Sequence, residues 1–432
     1  MSFPLPTIRD VAERQLCCGC GACAAVSPGE IRMVDDERHG RRPMVAETAR
    51  DERTGRAIEA CPGVALEHTF DRADPGLDAG LMAAWGPVRG VWEGFAADGA
   101  IRLGGSSGGA ATALALHAVE RGGMHGVLHT AAREDAPYLN RTVMSRTREE
   151  MLERTGSRYA PASPCEGLGL IASAPGPCVF IGKPCDVAGA QRARRVMSAL
   201  DERLGLTIAF FCAGTPSTRG TLELLKKVGV DDPSRVTSLR YRGNGWPGLW
   251  TVRWTDATGA EHEARLTYEE SWGFLQKYRQ WRCSICPDHT GEFADVSVGD
   301  PWYRPVEPGE AGKSLIVART PRGLEAVRSA ARDGYLVLER EDAELLPRSQ
   351  PNLLQTRGRL WGQLVALRAA GVPTPRYAGF ETRRFWWRLR MKSKVQSTVG
   401  TLRRIASRGL KERVAVREMG APIRPESTRA AV

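Results

Sequence analysis

Short apolar runs alternate with glycine-rich loops through the central part of the chain. An apolar run at 88–95 predicts a strand, a Gly/Ser loop follows at 104–109, and a helical pattern covers 110–121. Successive strand, glycine-loop and helix segments are typical of α/β domains. The same patterns predict strands at 126–130, 178–182, 206–211, 241–255, 264–268, 315–319 and 336–338, and helices at 218–228 and 322–331.

The composition is that of a globular protein. The chain has 432 residues, of which 42% are hydrophobic and 26% charged, enough for two or three domains. No apolar run approaches the roughly 18 residues that a membrane span needs. Residues 1–14 lack the apolar segment of a secretory signal, so we expect a cytoplasmic protein.

The net charge of +11 is concentrated near the C-terminus. Twelve Lys and Arg residues and one acid lie between Arg383 and Arg417, and the rest of the chain has equal numbers of basic and acidic residues. A neutral body argues against nucleic-acid binding.

Apolar residues recur among these basic residues at helical spacing. This pattern predicts a basic amphipathic helix that docks on an anionic membrane surface or an acidic partner. A helix packed on the body, or a disordered tail, would give the same pattern. Residues 419–432 are expected to be disordered. The apolar residues of the pattern are Phe385, Trp386, Leu389, Val395, Val399, Leu402 and Ile405.

The eleven cysteines are odd in number and clustered, which in a reducing compartment favours metal binding over disulfides. Cys17, Cys20 and Cys23 have the C-x2-C-x2-C spacing that opens a bacterial ferredoxin motif. The glycines between them allow the backbone to wrap closely around a 4Fe–4S cubane. A zinc site, which usually uses two C-x2-C pairs, is the alternative.

The fourth ligand of this motif is displaced along the sequence. Ser27, followed by Pro28, stands where a ferredoxin has Cys-Pro, which suggests a single cluster in this module. A Cys-Pro pair occurs later at Cys61, which we assign as the fourth ligand. Cys18 is interpreted as a bystander.

A second possible metal site begins at the C-x2-C knuckle of Cys283 and Cys286. Cys185 and Cys212 are the best candidates for the two missing ligands, because both follow short apolar strands. A zinc knuckle beside two buried cysteines is an equally good interpretation of the spacing. The two remaining thiols are expected to be ordinary core or loop residues, namely Cys165 and Cys178.

The loop at 104–109 precedes a predicted helix and so resembles a phosphate cradle. Ser106 and Ser107 could also cap that helix. A turn that only joins strand to helix is at least as good an interpretation. The loop lacks the G-x-G-x-x-G pattern with a following acid, which argues against a Rossmann NAD site.

Taken together, these motifs resemble the family of beta subunits of coenzyme F420-reducing hydrogenase and dehydrogenase. That family also includes the ferredoxin-dependent 7-hydroxymethyl chlorophyll a reductase and a class of divinyl chlorophyllide reductase. The resemblance spans most of residues 17–305. It is carried by Cys-Cys-Gly-Cys-Gly-Ala-Cys at 17–23, Ser-Gly-Gly at 107–109, Gly-Ser-Arg-Tyr at 156–159, Gly-Lys-Pro-Cys at 182–185, Phe-Cys at 211–212, the knuckle at 283–286 and Ala-Asp-Val-Ser-Val-Gly-Asp at 294–300.

The resemblance implies FAD and one or two 4Fe–4S clusters. It implies that Cys185, Cys212, Cys283 and Cys286 bind the second cluster. Asp300 and Trp302 would lie near the flavin ring, unless they only form a turn. The flavin-binding residues implied by the resemblance are Ser106, Ser107, Gly108, Gly109, Ser157, Arg158, Lys183 and Asp300. The catalytic acid or base is not identifiable from the sequence.

The expected fold is mixed, α+β or α/β. A ferredoxin-like 4Fe–4S module at 1–75 is joined by a linker at 71–86 to a flavin-binding α/β body. The body comprises a region at 86–165 and a second region at 166–350 that carries the second Fe–S site, and a basic helical tail follows at 376–432.

The expected function is an oxidoreductase that relays electrons between 4Fe–4S clusters, FAD and coenzyme F420 or an organic substrate. Ferredoxin is the other possible electron partner. The alternatives are a ferredoxin-dependent reductase of a tetrapyrrole or sugar-linked substrate, a non-catalytic electron-transfer subunit, and a zinc-binding module.

Overall fold

The computed structural model describes residues 5–307 and 309–420. Its largest feature is an eight-stranded mixed sheet, accompanied by a three-stranded sheet and two pairs of strands. The strands are β1 (Ile31–Asp36), β2 (Gly40–Val45), β3 (Ala65–Glu67), β4 (Gly90–Ala96), β5 (Val127–Ala132), β6 (Asn140–Ser145), β7 (Cys178–Gly182), β8 (Leu204–Phe210), β9 (Val236–Arg240), β10 (Trp250–Thr255), β11 (Glu261–Leu266), β12 (Val296–Gly299), β13 (Ser314–Ala318), β14 (Leu336–Glu341) and β15 (Arg376–Ala378).

Among the described residues, helices pack around these sheets, and short 3-10 turns lie at Pro164–Gly167, Pro233–Arg235 and Gln276–Tyr278. The α-helices are α1 (Ile8–Glu13), α2 (Ala22–Val26), α3 (Asp51–Glu59), α4 (Ala79–Trp85), α5 (Gly99–Gly104), α6 (Ala110–Glu120), α7 (Arg148–Glu153), α8 (Leu168–Ala172), α9 (Pro184–Ala193), α10 (Ser198–Arg203), α11 (Thr218–Lys227), α12 (Tyr268–Leu275), α13 (Trp281–Ser284), α14 (Pro321–Arg332), α15 (Leu345–Ser349), α16 (Leu353–Ala369), α17 (Thr382–Trp387) and α18 (Met391–Ser407).

The large sheet has the strand order β14-β4-β13-β12-β8-β7-β5-β6. Strands β12, β8, β7 and β5 run parallel at its centre, and the flanking strands are antiparallel to their neighbours. Most side chains of the central strands are buried, as expected for parallel strands covered on both faces. The mixed α/β architecture predicted from the sequence is confirmed.

The predictions at 241–249 and at Tyr268 are wrong. Strand β10 begins only at Trp250, because Gly243, Gly245 and Gly248 have positive φ and turn the backbone out of the extended conformation. Tyr268 starts α12, because Thr267 and Glu270 form a capping box there. The glycine-rich turn therefore joins β9 to β10 in an antiparallel sheet with β11.

The cysteine-rich N-terminal region shares its core with the rest of the chain. Buried Val11 and Leu16 belong to the same hydrophobic cluster as Phe180 of β7 and as Leu360 and Leu364 of α16. The region contains α1, α2, α3 and the β1–β2 hairpin. Its ferredoxin-like character remains a prediction, as do the proposed domain boundaries.

Two further segments differ from simple expectations for linkers and tails. The segment 71–86 contains α4, whose Leu81 and Trp85 are buried against the large sheet. Met419 donates its backbone N–H to the carbonyl of Asp35 at 2.8 Å, which joins the end of the described chain to β1. Of the segment 419–432 that was predicted to be disordered, residues 421–432 lie outside the described residues. In the part of the chain that is described, no helix has the length and apolar character to cross a membrane.

Candidate functional site

A cavity of about 290 Å³ lies where the central parallel strands end. Lys183 follows β7, Cys212 lies two residues after β8, and Asp300 follows β12; all three line this cavity. The carboxyl edge of a parallel sheet is where α/β proteins commonly bind ligands. Of the eight residues predicted to bind a flavin, seven line the cavity, namely Ser106, Ser107, Gly109, Ser157, Arg158, Lys183 and Asp300.

The eighth predicted residue, Gly108, packs behind the cavity wall. Its N–H donates to Ser314 Oγ at 3.0 Å, and a Cβ there would lie 2.8 Å from the backbone of Lys313. Gly109 has a φ of 74°, and its missing Cβ leaves room for the carbonyl of Ile101. Glycine is therefore required at both positions by the close approach of backbone.

The two serines of the loop do not cap α6, and that prediction is wrong. Gly109 is the N-cap residue, and no side chain of the described residues caps the helix. Ser106 Oγ instead accepts from the N–H of Ser157 at 2.6 Å, and Ser107 Oγ donates to Asp300 at 2.8 Å. The first turn of α6 therefore keeps its backbone N–H groups free of these side-chain acceptors at the cavity.

Asp300 holds three parts of the cavity wall together. It accepts hydrogen bonds from Ser107, from both terminal nitrogens of Arg242 (2.8 and 2.5 Å) and from Trp246 Nε1 at 2.7 Å. Burial acts to lower the pKa of Arg242, but the charge of Asp300 outweighs it and raises the pKa. The glycine loop and the turn at 243–248 are thus fixed to the end of β12.

Arg158 lines the cavity but is engaged by the protein. Its guanidinium nitrogens donate to Asn140 Oδ1 at 2.7 Å and to the carbonyls of Leu239 and Pro137 at 2.8 and 2.5 Å. These bonds tie β6 to β9 beside the cavity. A contact between Arg158 and a phosphate remains a prediction.

Lys183 and Asp186 form a buried pair beside the cavity, with Nζ 2.6 Å from Oδ2. Burial would lower the pKa of Lys183, but the adjacent Asp186 carboxylate raises it. Two buried polar atoms of the wall have no hydrogen-bond partner among the described residues: Asp186 Oδ1 and His289 Nε2. The Nδ1 of His289 lies 2.9 Å from the carbonyl oxygen of Cys212. These two atoms are suited to bond a polar ligand.

An aromatic wall covers one side of the cavity, and sequence reasoning identified only one of its members. Trp302 stacks on Tyr268, with ring centroids 5.7 Å apart and planes at 19°, and on Trp246 at 5.3 Å. Tyr159 and Trp272 line the same side, with centroids 5.2 Å apart. The capping box of α12 is visible in the sequence and could have predicted the helix that carries Tyr268 and Trp272.

The first group of cysteines comprises Cys17, Cys20, Cys23 and Cys61, all buried. Together with Cys18 they line a small cavity beneath Pro62. Gly19 and Gly21 have positive φ, and a Cβ at either one would lie 2.8 Å from the neighbouring backbone of Arg41 or Glu166. The glycines thus let the cysteine loop pack closely against β2 and the Pro164–Gly167 turn.

The second group comprises Cys185, Cys212, Cys283 and Cys286, all partly buried. Backbone N–H groups of Gly214 and Thr215 donate to Cys212 Sγ and Cys283 Sγ at 3.4 and 3.3 Å. Burial raises the pKa of the Cys212 thiol to about 12. The knuckle at 283–286 and the end of β8 therefore lie side by side, with Cys212 at the edge of the cavity.

Cys18 was interpreted as a bystander to the first group, which remains a prediction, and its thiol lies beside that of Cys185. The interaction between the two thiols lowers the pKa of Cys18 and raises that of Cys185. Cys165 is a fully buried core thiol, as expected; it donates to the carbonyl of Asp186 at 3.1 Å, and its interaction with Cys20 raises the pKa of Cys20. Cys18 therefore connects the two cysteine groups, a contact that spacing along the chain could not reveal.

Buried Arg282 lies between the two groups. Its charge favours the thiolate forms of Cys17, Cys18 and Cys286. Its terminal nitrogens donate to the carbonyls of Ile285 and Pro62 at 3.3 and 3.4 Å. Within the described residues, no three His, Cys, Asp or Glu side chains converge closely enough to hold a single metal ion.

Several known proteins are similar to this chain over these regions. The "Coenzyme F420 hydrogenase subunit beta" of Methanosarcina barkeri is 24% identical over 233 residues, which are 52% of this chain and 73% of the relative. The "F420-dependent formate dehydrogenase 1 subunit beta" of Methanococcus maripaludis is 26% identical over 56% of this chain, which spans 59% of that relative. A component of the F(420)H(2) dehydrogenase of Methanosarcina mazei is 23% identical over 85% of this chain and 93% of the relative.

A solved structure and two family models agree with these relatives. A chain of the F420-reducing NiFe hydrogenase complex from Methanosarcina barkeri has a similar fold, with a TM-score of 0.50 and 20% identity over 66% of this chain and 96% of that chain. The models for the N-terminal part and the C terminus of the coenzyme F420 hydrogenase/dehydrogenase beta subunit match residues 91–168 and 177–344. Since these matches cover more than half of the chain, the protein belongs to the family of coenzyme F420 hydrogenase/dehydrogenase beta subunits, which are components of oxidoreductases.

Proposed function

We propose that this protein is an iron–sulfur flavoprotein that transfers electrons between two cysteine-bound 4Fe–4S clusters, an FAD in the 290 Å³ cavity, and coenzyme F420 or another organic substrate. One observation carries the proposal: Cys212 belongs to the second cysteine group and also lines the cavity. A cluster bound through this thiol would be in contact with the cavity wall.

The cavity has the chemistry that FAD requires. The uncapped first turn of α6 and the loop at 104–109 offer backbone N–H groups for a pyrophosphate. The unpartnered Asp186 Oδ1 can accept a hydrogen bond from a ring N–H, and the aromatic wall offers flat apolar surface. These features favour FAD over a simple phosphate ligand.

The two cysteine groups have the chemistry that iron–sulfur clusters require. Each supplies four thiols, as a 4Fe–4S cluster needs, and backbone N–H groups donate to Cys17, Cys212 and Cys283. Hydrogen bonds and positive charge stabilise a negatively charged cluster. Arg282 and Arg42 supply that charge close to the first group.

When bound, FAD exchanges hydride with an organic partner and single electrons with an iron–sulfur cluster. The tasks of the protein are to bind, orient and shield this group. The network around Asp300 fixes the glycine loop against the strand ends, and Trp302 with Tyr268 keeps water from one side of the cavity. The relatives that are named for coenzyme F420 favour it over ferredoxin as the electron partner.

The first test is an analysis of the full chain purified without oxygen. Iron, acid-labile sulfide and acid-released flavin would be measured on one sample beside its ultraviolet–visible spectrum. We expect about eight irons and one FAD per chain, and oxidation of reduced coenzyme F420 by the loaded protein. A colourless protein that contains zinc would contradict the proposal.

A cavity-filling variant separates the flavin from the clusters. Ala111 lies in the first turn of α6 and lines the cavity, so A111W should abolish FAD retention while the iron content remains unchanged. Leu170→Trp is the matched control, because Leu170 is exposed on α8, and it should retain both. If A111W retained FAD, the cavity would not be the flavin site.

A further inference from the structure

The C-terminal helix α18 has its apolar face directed away from the protein. Its buried residues are Ser397, Thr401 and Ile405, two of which are polar. A helix that packs on a globular body normally places its apolar face against that body. In α18 the buried face is mostly polar and the exposed face is mostly apolar. Packing within the described chain therefore does not explain why these positions are apolar.

The exposed apolar residues of α18 form one continuous line, which we term the outer stripe: Met391, Val395, Val399 and Leu402. Their spacing of four, four and three residues places them on one face of the helix. Met391 is 71% exposed and the other three are 45–49% exposed. Trp387, 60% exposed, precedes the stripe at the end of α17. Such contiguous exposed apolar surface marks an interaction site.

The surroundings of the outer stripe carry one sign of charge. Ten basic residues and no acid lie between Glu381 and Glu412, and α16, on which α18 packs, also contains no acid. Lys392 and Arg403 are eleven residues apart, which is about three helical turns. Both side chains therefore lie on the same side of the helix, next to the stripe. Lys394 lies 5.2 Å from the ring centroids of both Trp386 and Trp387.

The helix is held in place at both ends, so the exposure of the stripe is a property of the fold. Phe385 of α17 is buried near α16, and Leu410 joins the large hydrophobic cluster. Beyond α18, Arg413 forms ion pairs with Asp10 and Glu13, and the N–H of Val414 donates to the carbonyl of Glu13 at 2.9 Å. The stripe is therefore presented on a fixed platform.

We propose that the outer stripe docks on the surface of an anionic lipid bilayer. Apolar side chains flanked by Lys and Arg, with a Trp at one end, have the composition of helices that lie in the interface of anionic membranes. A second copy of the chain is a poor occupant, because a symmetric contact would bring the two sets of basic residues together. Docking would hold the first cysteine group, which shares a core with α18, near the membrane.

The test is co-sedimentation of the full chain with large unilamellar vesicles. We expect binding to vesicles of phosphatidylcholine with about one third phosphatidylglycerol, and at least about tenfold weaker binding to pure phosphatidylcholine. Raising the salt concentration from 50 to 500 mM (assay conditions, roughly a threefold shorter Debye length) should weaken binding about tenfold. Absence of binding to the anionic vesicles overturns the proposal.

Two sets of substitutions separate the apolar and the charged contributions. M391S/V395S/V399S/L402S and K392Q/R403Q should each weaken binding to anionic vesicles at least about tenfold. The matched control is L170S/V337S, which removes two other exposed apolar side chains and should bind within about twofold of the unaltered protein. Unfolding midpoints of all variants should agree, because every altered residue is at the surface.

The remaining outcomes decide against the proposal. Vesicle binding that survives the four serine substitutions would show that the outer stripe is not the contact. A concentration-dependent dimer, seen by sedimentation velocity and lost in the same variant, would assign the stripe to a second copy. Equal binding to neutral and anionic vesicles would remove the role of the basic residues.

Discussion

The two cysteine groups are assembled in different ways. In the first group, three thiols come from the seven-residue turn at 17–23 and only Cys61 is distant. In the second group, Cys185 and Cys212 follow different strands, and the knuckle that begins at Cys283 comes about 70 residues after Cys212. The first site is therefore mostly local, whereas the second requires the large sheet to be formed.

Their surroundings differ as well. The first group lies in a core that joins the N-terminal region to α16 and α18, whereas the second lies at the edge of the open cavity. The difference suggests separate tasks: the first group is enclosed by packing, and the second is placed for exchange with a bound ligand.

The largest expected effect is a selective loss of iron. C20A/C23A should remove about four irons and leave FAD in place, because the first group does not line the cavity. C283A/C286A should remove about four irons and also weaken FAD retention, because Cys212, a member of the same group, lines the cavity. Iron and flavin assays on the same samples would check both.

Cys178→Ala is the matched control, because Cys178 is buried but belongs to neither group. Its iron and flavin contents should remain unchanged. If both double variants lost FAD equally, the proposed division of tasks between the two groups would be incorrect.

A second prediction concerns the support of the second group. Fully buried Arg319 donates to the carbonyls of Trp85, Pro87 and Thr290 and to Ser297 Oγ, at 2.7 to 3.1 Å. Arg319→Leu should lower the free energy of unfolding by about 3 to 5 kcal/mol, because it leaves these buried acceptors unpaired. Denaturant unfolding of the full chain would measure this change.

The neighbouring Arg322→Leu provides the comparison, since Arg322 is about half exposed and should contribute under about 1 kcal/mol. In R319L we also expect iron to be lost from the second group before the first. Equal stabilities of R319L and R322L would show that the Arg319 network does not support this region.

A third prediction is a pH dependence on the cavity side. Burial lowers the pKa of His129 to about 4, so the folded protein keeps this ring neutral while the unfolded chain takes up a proton near pH 6.5. Stability should therefore fall as the pH drops from 6.5 towards 4, by about 2 kcal/mol between pH 7 and 5.

His129→Gln should remove this slope while keeping a side chain able to hydrogen-bond Ser145 Oγ, which lies 2.8 Å from His129 Nε2. Denaturant unfolding at pH 7 and pH 5 would measure both proteins. An unchanged slope in H129Q would assign the pH dependence to other groups.

The smallest expected effect concerns the hydrogen bond from Ser107 to Asp300. Ser107→Ala should cost about 1 kcal/mol of stability and weaken FAD binding about fivefold, because the glycine loop loses one of its ties to β12. Flavin titration of the apoprotein would measure it, with exposed Ser173→Ala as control. Full FAD affinity in S107A would show that the remaining contacts fix the loop.

The sequence predicted those parts of the molecule that depend on local patterns. Strand β7 was predicted with its correct ends, and α6 and α14 within one residue at each end, because apolar periodicity and the flanking glycines or prolines define them. The cysteine loop at 17–23 was recognisable for the same reason. Seven of the predicted flavin-binding residues meet in one cavity.

Contacts between distant segments could not be predicted from the sequence. Cys18 meets Cys185 only because α9 packs beside the cysteine loop, and no spacing rule links positions so far apart. The apolar pattern of the tail predicted a helix at the right place. Whether Ile405 or Leu402 faces the body depends on the surface of α16 and had to be seen in the structure.

The place of β4 in the large sheet has a consequence for biosynthesis. Its partners among the described strands are β13 and β14, so residues 90–96 pair with residues more than 200 positions later. A nascent chain cannot complete this sheet, or the cavity at its edge, until most of the polypeptide has left the ribosome. Until then β4 has two open edges, so a ligand of the cavity is expected to bind only after translation is nearly complete.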